Sequence, residues 1–156
     1  MQEYFCIGLS NSVYLGLSLE HVDKLITLQP KDICLIPGIA DFWLGVINYK
    51  SSLLWILDLE KFLDIAQNSK KNKSQQTVLI LNYSVGNYQK KVALIIKSLE
   101  GVFEFEQDQI VVPHSSIPPK LQNICDTFTS QNEKDIALVK TEILLEQLSQ
   151  QSLLSV

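Results

Sequence analysis

IPGIADFWLGVINYKSSLLWILDLEKFL, residues Ile36–Leu63, decides the fold. It holds two apolar runs, Trp43–Tyr49 and Leu53–Leu57, separated by the small polar turn Lys50-Ser51-Ser52. Each run is too short to cross a bilayer as a helix and is rich in Val, Ile and aromatic residues, so the pair reads as a β-hairpin buried on at least one side. Pro37 and Gly38 punctuate its approach. Asp58 stands where the second run ends, and Leu59, Phe62 and Leu63 recur at helical spacing. Asp58 is therefore expected to cap a short helix, with Glu60 in the first turn, where negative charge is favourable.

The same pattern continues on both sides. Tyr4–Leu9 and Val13–Leu17 flank Ser10-Asn11-Ser12 and predict an N-terminal hairpin. Leu19–Leu25 reads as a helical turn or a third strand, and Ile26-Thr27-Leu28 favours strand. Gln67–Gln76 is wholly polar and basic and reads as a surface loop, its Lys70, Lys71 and Lys73 either simply solvated or attracting an acidic partner. Thr77–Tyr83 and Tyr88–Ile96 are predicted strands about a Gly86-Asn87 turn. Gly101–Glu106 alternates as a half-exposed strand with its acids outward. Pro113–Pro119 is a rigid crossing. Leu121–Cys125 is one helical turn or two, Asp126–Glu133 a turn or edge strand, and Ile136–Val139 a buried strand. A terminal helix, residues 142–151, follows with Thr141 expected as its N-cap. Leu54–Leu63 and Ala137–Leu145 echo each other as strand, polar residue, short acid-led helix, a faint internal repeat. Many short strands without regular strand–helix alternation predict an antiparallel all-β architecture with a few short helices, not a doubly wound sheet.

Composition narrows the function. The chain has 156 residues, of which 46% are hydrophobic, enough for a sizeable core in one domain or in two lobes that share one. The net charge of −4 argues against a nucleic-acid binder. All 13 cationic residues are lysines, so the planar fork by which arginine grips phosphate is excluded. Cys6, Cys34 and Cys125 are odd in number and widely spaced, which fits buried thiols in the cytoplasm better than disulfides or a zinc site. No apolar run is long enough to predict direct membrane insertion.

Catalytic signatures are weak. The alternative function is a small-ligand-binding β-barrel, or a thiol enzyme using Cys34 or Cys125 with His114, but neither His21 nor His114 lies in a nucleophile-elbow or HExxH pattern. Buried structural thiols and a surface histidine explain these residues more simply. Asp58, Glu60 and Asp64 would serve capping and solvation before cation binding, and no glycine-rich phosphate cradle is present. Neither catalysis, a metal nor a cofactor is therefore expected. Trp43, in a loop entering a strand, suits a core-edge position or an interface anchor equally well. The tail leucines Leu144, Leu148, Leu153 and Leu154 would serve an oligomerising helix, although packing on the chain's own barrel is the simpler use.

The run Gly45-Val46-Ile47-Asn48-Tyr49-Lys50-Ser51, followed by an apolar strand ending Asp58-Leu59, resembles the CheW family of chemotaxis coupling proteins. Val22-Asp23-Lys24-Leu25 is similar to the family's Val-x-Glu-Ile strand, and Ala137–Leu145 is a third match. The resemblance implies a single CheW-like domain over residues 1–156 made of two packed five-stranded β-barrels, similar to Src-homology-3 barrels, about a shared core. It implies a non-enzymatic adaptor that couples a chemoreceptor or photoreceptor signalling domain to the regulatory domain of a CheA-type histidine kinase, in chemotaxis, phototaxis or pilus motility. By position, Lys50 stands for the family's receptor-side arginine, and Val22 and Lys24 for its receptor-facing Val and Glu. Ile96 and Leu99 lie near its groove-lining strand, and Asn48 belongs to the matched strand. An apolar patch near the first barrel would face the kinase. The departures are specific: Lys50 keeps a point charge without the fork, Ser51 replaces a turn glycine and so either avoids positive φ or bears strain, and Lys24 reverses a charge. A receptor that meets these positions should differ in charge from the usual one.

Overall fold

The computed structural model describes residues 2–65, 75–85, 87–112 and 117–150. Ten strands and three short helices succeed one another as β1 (Gln2–Leu9), β2 (Val13–Ser18), β3 (Val22–Leu28), β4 (Trp43–Tyr49), β5 (Ser52–Asp58), α1 (Leu59–Phe62), β6 (Gln76–Val85), β7 (Tyr88–Ile96), β8 (Ser98–Phe105), α2 (Pro119–Gln122), β9 (Cys125–Gln131), β10 (Lys134–Val139) and α3 (Thr141–Gln150). The predicted hairpins form. The ambiguous stretch after β2 contains both alternatives, a 3-10 turn over Leu19–His21 and then strand β3. Leu121–Cys125 divides between the end of α2 and the start of β9, and β9 is an edge strand. The loop lysines Lys70, Lys71 and Lys73, His114, and Leu153 and Leu154 lie outside the described residues.

The strands make two five-stranded sheets, ordered β8-β1-β2-β10-β9 and β3-β6-β7-β5-β4. Each rolls into a barrel by the same device. After β3, a 3-10 turn at Pro30–Asp32 brings Cys34 onto Val46 of β4, with Cys34 N donating to Val46 O at 2.8 Å and Val46 N to Cys34 O at 3.0 Å. After β8, a 3-10 turn at Gln107–Gln109 brings Ile110 onto Thr129 of β9. Both turns are held by a reciprocal box: Asp32 receives the Gln29 amide at 2.9 Å, and Gln109 receives the Glu106 amide at 3.0 Å. Each barrel also contains one parallel pair, β10 on β2 and β5 on β7. The internal echo is thus a repeat of whole barrels, with β1, β2, β8, β9 and β10 in the first and β3 to β7 in the second.

The two barrels exchange strands. β3 directly follows the β1–β2 hairpin but joins the second barrel, and β8 follows the β6–β7 hairpin across Lys97 but joins the first. The central strands are consequently apolar on both faces. Leu79, Leu81, Val92 and Leu94 point into a core shared with Ile7, Leu15 and Leu17, while Val78, Ile80 and Ala93 point into the second barrel's own interior with Leu28, Ile47, Leu54 and Ile56. This is why the β6 and β7 runs are nearly unbroken in hydrophobicity rather than alternating.

Helices plug the shared core. Asp58 caps α1, its carboxylate accepting the Lys61 amide at 3.2 Å, and Leu59, Phe62 and Leu63 are buried. Leu144, Leu145 and Leu148 of α3 enter the same core, so those tail leucines pack on the chain's own barrels. Thr141 is not an N-cap as expected. It is the first helical residue, its hydroxyl is buried without a hydrogen-bond partner among the described residues, and the Lys140 carbonyl receives the first amide bonds from Ile143 and Leu144 at 3.1 and 3.0 Å.

Candidate partner-binding site

The β4–β5 turn sets one end of the second barrel. Tyr49 and Ser52 pair directly, leaving a two-residue turn in which Lys50 (φ 49°) and Ser51 (φ 66°) are both left-handed. This is the hairpin geometry that suits Asn-Gly best, and a side chain there costs on the order of 1 kcal/mol. Of the two outcomes open for Ser51, the turn takes the strained one. The strain fixes Lys50 at the tip, exposed.

Three further strands deliver polar groups to the same end. β3 bulges between Val22 and Lys24, opposite Leu81 and Ile80, and so turns Asp23 out of register. Asp23 Oδ2 pairs with Lys91 Nζ on β7 at 3.1 Å. The Lys91 ammonium lies 5.6 Å from the centre of the Tyr49 ring and the Lys50 ammonium 5.2 Å from it, both within cation–π reach. Lys24, Asn82, Lys91 and Tyr49 occupy the strand positions next after Ile26, Ile80, Ala93 and Ile47 on the faces that line the barrel interior. They form its mouth, one step past the last apolar layer. Tyr49 Oη and Asn82 Oδ1 are buried atoms without hydrogen-bond partners among the described residues.

The structure therefore brings Lys50 to the Val22–Lys24 bulge, through Tyr49, Lys91 and Asp23. Val22 is half-buried against the shared core and Lys24 is exposed. Asn48 is exposed opposite Leu53, itself 71% exposed. Two expected residues prove unsuited to contact. Trp43 is 4% exposed and belongs to the shared core, its ring 5.5 Å from that of Trp55 and 5.9 Å from that of Phe42. The register shift between Trp43 and Gly45 and the Cys34–Val46 seam start β4 under cover. Ile96 is also 4% exposed, because it shares the inward face of β7 with Val92 and Leu94. Leu99 is exposed, but it sits on β8 of the first barrel, opposite Ile7, outside this mouth. Sequence reasoning missed Asp23, Tyr49, Asn82 and Lys91. For Tyr49, Asn82 and Lys91 the only signal was strand parity, since each stands two positions from a core residue on its own strand, whereas the bulge that displaces Asp23 left no signal in the sequence.

The first barrel has a corresponding mouth. Gln29 and Glu106 of the two boxes lie 77 positions apart, and the same shift carries Asp23 onto Glu100, also an unpaired bulge residue, between Leu99 and Gly101. Lys134 Nζ donates to Glu100 Oε1 at 2.7 Å and lies 5.0 Å from the Tyr14 ring centre. The hydrogen bonds from Lys134 and Ser98 hold the Glu100 carboxyl below its ordinary pKa, and the Glu100 carboxylate raises that of Lys134. Both mouths thus carry an acid, a lysine and a tyrosine. The matching turn residues of the first are Asn132 (φ 50°) and Glu133 (φ 64°).

Nothing in this arrangement favours thiol chemistry. Cys125 is buried, with Sγ 3.1 Å from the Leu121 carbonyl, and burial, the largest cause, pushes the Cys6 thiol up to about 11. Cys34 is exposed on the barrel seam. Among the described residues no group of three His, Cys, Asp or Glu side chains is placed to hold a metal. A cleft of about 900 Å³ opens on the first barrel beside Asn11, Asp64, Pro118 and Glu133, and none of the residues expected to contact a partner lines it.

The sequence matches the CheW-like domain family over residues 3–148. The chain belongs to that family. The CheW-like fold is also seen in the solved structure of the scaffolding protein TtCheW from Thermoanaerobacter tengcongensis, which is 20% identical in sequence and superposes with a TM-score of 0.67 over 89% of this chain and 88% of that one. No curated protein matches. Among the described residues of this CheW-like chain, no helix is long and apolar enough to cross a membrane.

Proposed function

We propose that this CheW-like chain is a non-enzymatic adaptor that joins a chemoreceptor or photoreceptor signalling domain to the regulatory domain of a CheA-type histidine kinase, in the cytoplasm at receptor arrays. The observation that carries the receptor half is the convergence of Lys50 and the Val22–Lys24 bulge on one barrel mouth. Lys50 in the β4–β5 turn and the Val22–Lys24 pair on β3 come from two separate matches of the family resemblance, lie on two different elements and are adjacent only in the fold. The kinase half rests on the apolar side chains that the first barrel exposes along β8 and beyond: Leu99, Val102, Ile110 and Val112. Such side chains favour a protein partner, and a partner with the same fold would present a comparable surface.

Two separate faces make the mechanism one of tethering. Holding kinase and receptor on one rigid body raises their effective concentration for each other, and any receptor change that alters the docking geometry is passed to the kinase as a coupling free energy. Co-purification with a CheA-type regulatory domain, with and without a receptor signalling domain, tests this. A ternary complex is expected. Lys50→Glu should lower receptor affinity about ten-fold or more while kinase binding and the thermal midpoint hold. Loss of both interactions together would refute separate faces.

A further inference from the structure

We infer that the polar layer of the second barrel holds one ordered water molecule as a built-in part, accepting from the Tyr49 phenol and the Lys91 ammonium and donating to the Asn82 side-chain carbonyl.

Two atoms of this layer are orphaned. Tyr49 Oη and Asn82 Oδ1 are both closed off from solvent, and neither has a hydrogen-bond partner among the described residues. They are complementary, since the phenol donates and the amide carbonyl accepts, yet they are not bonded to each other. The strands nevertheless bring them to one place. Asn82 and Lys91 stand opposite each other in the antiparallel β6–β7 register, so their side chains share one side of the sheet. Lys91 Nζ in turn lies 5.6 Å from the centre of the Tyr49 ring. Lys91 is thus the neighbour of both orphans.

The chemistry of the three groups selects the occupant. A phenol hydroxyl and an ammonium each need an acceptor, and a carbonyl needs a donor. A bound cation would be repelled by Lys91, and an anion would leave the Asn82 carbonyl unanswered. Water both accepts and donates, and a buried water usually makes about three hydrogen bonds to groups that the protein leaves unpaired. Lys91 Nζ uses one N–H on Asp23 Oδ2 at 3.1 Å and has two more to give.

The first barrel shows the same layer closed without a gap. Gly8 pairs with Tyr14 there as Asn82 pairs with Lys91 here. A Cβ on Gly8 would stand 2.5 Å from Ser98 Oγ, so the serine fills that side, and it donates directly to Glu100, which also receives Lys134. None of Tyr14, Ser98, Glu100 and Lys134 carries an orphaned buried atom. The bridging water is therefore a feature of the second barrel, where it ties the Tyr49 ring to the Lys91–Asp23 pair.

A crystal structure of the full chain that resolves ordered waters should show one oxygen within about 3.2 Å of both Tyr49 Oη and Asn82 Oδ1. Tyr49→Phe and Asn82→Leu each remove one partner while keeping the side chain's bulk. In urea unfolding each is expected to lower the folding equilibrium constant about five-fold or more. The double variant should lose no more than the worse single one, because no orphan is then left behind. Losses that multiply in the double variant, single variants as stable as the wild type, a direct hydrogen bond between the two side chains, or a dry gap between them would overturn the inference.

Discussion

Glu60 reaches from α1 to the β1–β2 turn, where its carboxylate accepts Ser10 N at 2.7 Å and Ser10 Oγ at 3.1 Å. One acid at the start of a four-residue helix thereby satisfies a turn of the first barrel while it belongs to the second. Ser10 is 3% exposed, so its amide has little access to water if the acid is removed. Glu60→Ala should therefore cost about 1–3 kcal/mol in urea unfolding, the usual range for leaving a buried donor unsatisfied. A loss of only a few tenths would mean water replaces the acid without penalty.

Gly45 closes the second barrel. Its φ is +145°, and a Cβ there would stand 2.3 Å from the Cys34 carbonyl oxygen, a backbone atom held in the seam by the Val46 amide. Gly45→Ala is expected to destabilise the fold by about 2 kcal/mol or more, since neither the conformation nor the neighbour can yield. The thermal midpoint reads this directly, and an unchanged midpoint would show that the seam opens freely.

Ser51→Gly should do the opposite. At φ 66° the serine holds a conformation that glycine adopts without strain, so the substitution should stabilise the hairpin by up to roughly 0.5 kcal/mol after the entropy glycine adds to the unfolded chain is subtracted. Chemical denaturation measures it, and a loss of stability would place the strain elsewhere.

Trp43→Ala separates core from interface. Its burial predicts a cost of about 3–5 kcal/mol in stability, whereas an interface anchor would lower partner affinity at nearly constant stability.

The thiols give a pH test. Burial raises the Cys6 pKa from its ordinary 9 to about 11, so the folded state binds the proton more tightly than the unfolded state does. The stabilising contribution is intact below pH 9 and declines as pH rises towards 11. In the folded protein, an alkylating reagent at pH 8 should label exposed Cys34 first and leave buried Cys6 and Cys125 slow. Equal labelling of all three would contradict the burial.

Much of the fold was legible because the hairpins are specified locally. Lys50-Ser51 between two apolar runs, and Asp58 ahead of Leu59 and Phe62, state a turn and a cap in a few residues. The placement of β3 and β8 was not legible. Both strands look like neighbours of the hairpins before them, and only burial of the shared core decides that they pair across. Trp43 was ambiguous because a tryptophan entering a strand fits a core and an interface alike, and the Trp55 and Phe42 contacts that settle it are tertiary. The mouth was half visible. Lys50 and Lys24 stand out by their departure from the family pattern, but Lys91 and Tyr49 become part of it only once strand parity turns them to the same opening.

The exchange of β3 and β8 also sets an order of assembly during synthesis. All the strands of the second barrel have emerged once Ile96 has left the ribosome, whereas the β1–β2 hairpin, made first, must wait for β8, β9 and β10. Until then the greasy side chains of Ile7, Leu15 and Leu17 lack the part of their final cover that the later strands and α3 supply. The β1–β2 hairpin, translated before the second barrel, is fully housed after it, so a nascent chain stalled near residue 100 should be the form most prone to clump or to recruit a chaperone.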